Sequence, residues 1–88
     1  MYMFTNKSID GRNNLCGQVV EMRRKEIGKS QRQLADMLQV AGLDVDKNAI
    51  QRIEAGKRFV TDIELTYIAK VLNLSYDMLL CKSADTNL

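Results

Sequence analysis

At 88 residues the chain has room for one core and for no separate effector or catalytic domain, because a compact fold of this size already uses most of its sequence. Hydrophobic residues make up 45% and charged residues 27%, a balance that excludes the profile of a disordered chain. Apolar runs such as Met78 to Cys81 are far too short to span a bilayer, and the opening MYMFTNK lacks the apolar stretch of a secretory signal, so a cytoplasmic protein with no membrane partner is expected.

Proline is absent, glycine is scarce and strand-like alternation is nowhere sustained, which points to an all-α fold. The net charge of +2 is unevenly spread. Residues 15 to 60 carry nine Lys/Arg against six Asp/Glu, whereas residues 61 to 88 carry two against four. The basic surplus therefore sits in the middle of the chain. Cys16 and Cys81 have no metal-ligand spacing and histidine is missing, so reduced structural thiols are expected, with no metal site.

In chain order, residues 1–13 are polar, include Gly11 and Asn13, and show no period; they read as an irregular or frayed, flexible N-terminal arm. A first helix follows from about Leu15 to Ile27, with Cys16, Val20 and Ile27 on one broad apolar face flanked by Val19 and Met22, and Gly28 as its stop. Ser30 with Gln33 forms a capping box ahead of Leu34, Ala35, Met37 and Leu38, so a second helix starts there and ends near Gly42. Asp46 caps a third helix, stapled by Val45 and Ile50 and closed by Gly56. Thr61 with Glu64 makes another capping box, bracketed by Val60 and Leu65, and opens a fourth helix that buries Ile68, Ala69 and Leu72. Ser75 opens a short fifth helix through Leu80, stapled by Leu74 and Leu79. Five helices with short junctions describe an orthogonal bundle spanning residues 14–81, followed by a loose C-terminal tail over 82–88.

Several spaced fragments carry a resemblance: CGQVVEMRRKEIGKSQRQLA, then VDKNAIQRIEAGKR, then IAKVLNLSYDMLL. In this order they resemble the Xre, Cro and lambda-repressor family of bacterial helix-turn-helix domains over nearly the whole stretch from Cys16 to Leu80. The resemblance implies a five-helix lambda-repressor-like bundle that presents one helix N-terminus to a phosphate and lays the next helix in the major groove. Carried onto this sequence, it implies that the Gln31 amide and the N-terminus of the second helix hold a backbone phosphate, with Arg32 as a further backbone candidate. Lys47, Asn48 and Arg52, with Gln51 as a further candidate, would reach base edges, and Gly56, Lys57 and Arg58 would form a second phosphate clamp. The family also pairs an Arg of the first helix with the Glu that ends the third, here Arg24 and Glu54, as a structural ion pair that fixes the recognition helix.

One departure from the pattern is plain: the spacing from Ala35 to Glu54 is longer than usual, with the extra residues around Val40 to Asp44. The second helix is expected to gain part of a turn, Gly42 to end it and Leu43 to tuck into the core. Tyr67, Leu72, Leu74, Tyr76, Met78 and Leu79 give the fourth and fifth helices more apolar surface than a small bundle needs, and the exposed remainder is a candidate homodimer surface.

Three function classes follow. The first is a sequence-specific DNA-binding transcriptional regulator, repressor-like, that needs no cofactor and no small-molecule ligand. The second keeps the fold as a protein-interaction module, such as the antitoxin half of a toxin–antitoxin pair. An enzyme ranks last, because there is no histidine and no catalytic nucleophile–base constellation, and Cys16 occupies an expected core slot.

Overall fold

The computed structural model describes residues 11–80, and within them the chain forms five helices and no strand. These are α1 (Gly17–Glu26), α2 (Gln31–Ala41), α3 (Lys47–Glu54), α4 (Asp62–Leu72) and α5 (Tyr76–Leu80). Cys81 and the expected tail over 82–88 lie outside the described residues, as do residues 1–10 of the expected arm. No helix among the described residues is long and apolar enough to cross a membrane.

Local side-chain chemistry sets the helix starts. Ser30 Oγ accepts from the Gln33 N–H at 3.0 Å while the Gln33 side chain accepts from the Ser30 N–H at 2.8 Å, so the expected box opens α2. Thr61 and Glu64 repeat the arrangement at α4, and Asp46 Oδ1 accepts from the Ala49 N–H at 2.8 Å to cap α3. Ser75 Oγ takes the Met78 N–H at 3.1 Å and starts α5. In α1 the cap comes from further upstream: Asn14 Oδ1 accepts from the Gly17 N–H at 2.8 Å, and the helix begins at Gly17 rather than at Leu15. Leu15 is then free to sit at the surface.

The core gathers one apolar stripe from each helix: Cys16 and Val20 at α1, Leu34, Ala35 and Leu38 from α2, Ile50 and Ile53 from α3, Ile68, Ala69 and Leu72 from α4, and Leu79 from α5. Each large aliphatic side chain removed from water in this way contributes about 1.5–3 kcal/mol before the entropy of ordering is counted. Burial pushes the Cys16 thiol up to about 11, so at neutral pH it is a protonated packing residue. Met22 departs from the expected α1 face and is 56% exposed. The inward positions of α1 are taken instead by Gly17, Val20 and Arg24, which are three and four residues apart and leave Met22 on the outer flank.

The long connection between α2 and α3 is built as expected. Gly42 ends α2 at φ 116°, and the Leu43 N–H bonds back to the Leu38 carbonyl at 2.9 Å. Leu43 packs against the core, and Val45 is buried beside it. Gln39, unremarked in the sequence, donates its amide to the Val45 carbonyl at 2.5 Å and ties the turn to the last part of α2. Across this connection α2 and α3 pack directly against each other.

Candidate nucleic-acid interface

The candidate site lies along α3 and the two segments that flank it. Ile50, Ile53 and Glu54 turn inward, and the intervening residues Lys47, Asn48, Gln51 and Arg52 are all exposed. Positions i, i+1, i+4 and i+5 of a helix share one side, so these four polar side chains form a single outward face. Lys47 and Asn48 also border a polar cleft against α2, lined by Arg32, Ala35, Asp36, Gln39 and Asp46. Arg52 reaches the Lys57 carbonyl at 3.4 Å, which drapes its guanidinium toward the end of the helix.

Behind that face stands the ion pair. Arg24 and Glu54 are 8% and 6% exposed, and the pairing is bidentate: Nε to Oε2 at 2.7 Å and Nη2 to Oε1 at 3.0 Å. The remaining guanidinium corner donates to the Lys29 carbonyl at 2.8 Å. Gln31 joins from the start of α2, and its amide, expected at a phosphate, instead donates through Nε2 to Glu54 Oε1 at 3.0 Å, drawn there by the buried carboxylate. A buried carboxylate with three charge-assisted or amide donors is well compensated, so α1, α2 and α3 are locked together at this point.

At the first turn of α2 the Ser30 and Gln33 N–H groups are occupied by the capping box. The backbone N–H groups of Gln31 and Arg32 are helix-terminal donors with no intrahelical acceptor, at the positive end of the helix dipole. Beyond α3, Gly56 adopts φ 78° and turns the chain. Its N–H goes to the Ile53 carbonyl at 3.0 Å and that of Lys57 to the Arg52 carbonyl at 2.9 Å, so both amides are used within the fold while the Lys57 side chain is exposed.

Arg58 has a strong internal partner. Its Nη1 and Nη2 donate to Glu64 Oε1 and Oε2 at 3.0 and 2.9 Å, and Nη1 also reaches the Phe59 carbonyl at 3.2 Å. This hydrogen-bonded pairing holds the Glu64 carboxyl below the usual carboxylate range, helped by the Thr61 backbone N–H, and raises the Arg58 guanidinium above its ordinary value.

Sequence reasoning missed the contribution of residues 12–14. Arg12 and Asn13, the last described residues of the expected arm, and Asn14, the first of the expected bundle, lie outside any helix and dock on the fold: Arg12 Nη2 donates to the Glu54 carbonyl at 2.8 Å, the Asn13 N–H to the Gly56 carbonyl at 2.8 Å, and Asn14 Nδ2 to the Arg58 carbonyl at 2.8 Å. The signal was present as the Asn13–Asn14 doublet directly before a helix, since asparagine side chains bond well to nearby and terminal backbone groups.

Among protein families, the HTH_3 helix-turn-helix model matches residues 20–79. No curated protein and no solved structure gives a significant match.

Proposed function

Because the chain belongs to the Xre/lambda-repressor-like helix-turn-helix family, a DNA-binding family, we propose that it is a sequence-specific transcriptional regulator that lays α3 in the major groove and acts as a repressor in the cytoplasm. The observation that carries this reading is the outward face of Lys47, Asn48, Gln51 and Arg52 mounted on a helix whose other side is fixed by core packing and by the Arg24–Glu54 pair. Asn48 and Gln51 are suited to bidentate bonds with adenine, and Lys47 and Arg52 to guanine O6 and N7.

Backbone contacts come from both flanks. The free N–H groups at Gln31 and Arg32 and the Arg32 side chain take one phosphate. The Lys57 amine, aimed outward by the turn at Gly56, takes a second, and Arg58 offers the guanidinium hydrogens that Glu64 leaves over. These contacts set register, and the base contacts set sequence preference.

Two copies are proposed to pair through the α4–α5 end, where Tyr76 and Met78 are 53% and 55% exposed and Leu80 is also at the surface. Pairing there would place two α3 helices on half-sites about 34 Å apart. The same exposed α5 surface is what favours the second reading, an interaction module with a different protein as its partner.

Selection from a randomised duplex library, followed by a salt titration on the recovered sequence, tests the proposal. With about four phosphates neutralised per copy, the log–log slope is expected near −4 for one half-site and about twice that for a pair. An enrichment with no shared motif, together with a slope near zero, overturns it. Sedimentation of the purified chain separates a homodimer from a complex with an unrelated protein that survives nuclease treatment.

A further inference from the structure

We propose that Arg12, Asn13 and Asn14 are positioning residues for DNA binding, a strap that fixes the end of α3 and the 56–58 turn in the pose that meets the phosphate backbone. The proposal rests on the DNA-binding reading above. It concerns a stretch that precedes the family's matched residues 20–79 and so is not accounted for by the family likeness.

The strap covers carbonyl oxygens. Arg12 Nη2 reaches those of Ile53 and Glu54 at 3.3 and 2.8 Å. Asn13 takes that of Gly56 through its N–H at 2.8 Å and that of Lys57 through Nδ2 at 3.3 Å. Asn14 Nδ2 takes those of Ile53 and Arg58 at 3.1 and 2.8 Å. Five of the six carbonyls from Ile53 to Arg58 receive a donor from the strap, and these partners lie 39 to 44 residues away in the chain.

Two physical consequences follow. First, carbonyl oxygens at the C-terminal end of a helix carry its partial negative charge, and left bare beside Lys57 and Arg58 they would repel an approaching phosphate. The strap covers them with donors, the Arg12 guanidinium at Ile53 and Glu54 and the asparagines at Gly56, Lys57 and Arg58. Second, an eight-residue helix has few bonds of its own with which to hold its last turn, so external donors decide where that turn points. The path is built for this: a methyl added at Gly56 would stand 2.7 Å from Arg12 Cζ, and one at Gly17 would overlap the Ile53 carbonyl oxygen.

Asn14 gives the cleanest test because it is uncharged. The full chain, as wild type, Asn14→Ala, Asn13→Ala and Arg12→Lys, is titrated with a duplex recovered from the selection and with a random-sequence duplex of equal length. Titrations run well below each variant's unfolding midpoint. For Asn14→Ala, affinity for both duplexes is expected to fall about tenfold and the log–log salt slope to shrink by about one, since a displaced Lys57 no longer neutralises its phosphate. A slope change without any lost charge reports the position of other cations, which a purely stabilising residue would not alter. Arg12→Lys, keeping the charge, is expected to lose less than Asn14→Ala. Asn13→Ala, which keeps the backbone bond to Gly56, carries the test if Asn14→Ala does not fold. Variants that bind with wild-type affinity and slope while only their unfolding midpoints drop overturn the strap's role and leave the DNA-binding reading intact. A wild type that binds neither duplex sinks both.

Discussion

Gln31 opens α2, Glu54 closes α3, and the amide nitrogen of the first sits 3.0 Å from a carboxylate oxygen of the second, the same oxygen that receives Arg24. The first residue of α2, beside the proposed first phosphate, is therefore bonded to the last residue of α3, the proposed recognition helix. One buried carboxylate thus ties the start of α2 and the end of α3 to each other and to α1.

Arg24→Ala should expose how much rests on that carboxylate. It leaves Glu54 buried with only the Gln31 amide, and removing one partner of a buried pair costs about 3–5 kcal/mol. Arg24→Lys should restore only part of this, because an ammonium cannot make the two-pronged contact that Nε and Nη2 make. The double change Arg24→Met with Glu54→Leu is expected to lose less than Arg24→Ala alone. Urea unfolding monitored by circular dichroism measures all three, and an Arg24→Ala protein within about 1 kcal/mol of wild type would show that the pair is solvated.

Gly17→Ala tests the close crossing of α1 over the end of α3. The added methyl would overlap backbone, the Ile53 carbonyl oxygen, and backbone cannot swing aside as a long side chain can. A cost of about 1–3 kcal/mol or more is expected, as for other insertions into a filled space. Gly28→Ala is the control: its methyl meets nothing within 4 Å, and only its φ of 73° penalises alanine, by about 1 kcal/mol. Equal losses at the two sites would contradict the crossing.

What could be read from the sequence divides by distance along the chain. The boxes at Ser30/Gln33 and Thr61/Glu64 and the Asp46 cap close within three residues, so the residue types alone announce them. The core followed from helical spacing, with Met22 misplaced because several rotations of α1 put an apolar residue inward until Gly17 and Arg24 are known to be packed against α3. Arg24–Glu54 spans 30 residues and was legible only through family resemblance. Nothing local links Asn14 to Ile53 and Arg58, so the strap had no periodic or spacing signal beyond two adjacent asparagines. Arg58 was legible as a cation and a candidate phosphate ligand. That Glu64 would serve both the Thr61 cap and Arg58 depends on the fold of the intervening loop.

Glu64 makes stability fall in acid. Its hydrogen bond with Arg58 lowers its folded value below the ordinary carboxylate one, so its contribution is fully present above the unfolded value of about 4.3 and is lost as pH drops through the folded value. Thermal midpoints recorded from pH 7 down to pH 3 should decline below about pH 5, and Glu64→Gln should be less stable at pH 7 with a shallower decline. Since the Glu64 and Arg58 side chains are 16% and 29% exposed, solvent screens the pair and the difference at pH 7 should stay near 1 kcal/mol. A wild-type decline as steep as before in Glu64→Gln would assign the acid sensitivity to another carboxyl.

Asn48→Ala separates base reading from backbone attraction. Asn48 is exposed on the first turn of α3 and no hydrogen bond within the described residues engages its side chain, so its loss should move the unfolding free energy by no more than about 0.5 kcal/mol. On the recovered duplex, affinity should fall by about 1–3 kcal/mol, and a second selection with the variant should lose preference at one base position while keeping the rest of the motif. Lys57→Ala should do the opposite, weakening all duplexes alike and lowering the salt slope by about one. If Asn48→Ala instead weakened every sequence equally and kept the full motif, its amide would be a backbone ligand, and the major-groove docking of α3 would have to be rotated so that Gln51 and Arg52 carry the sequence preference.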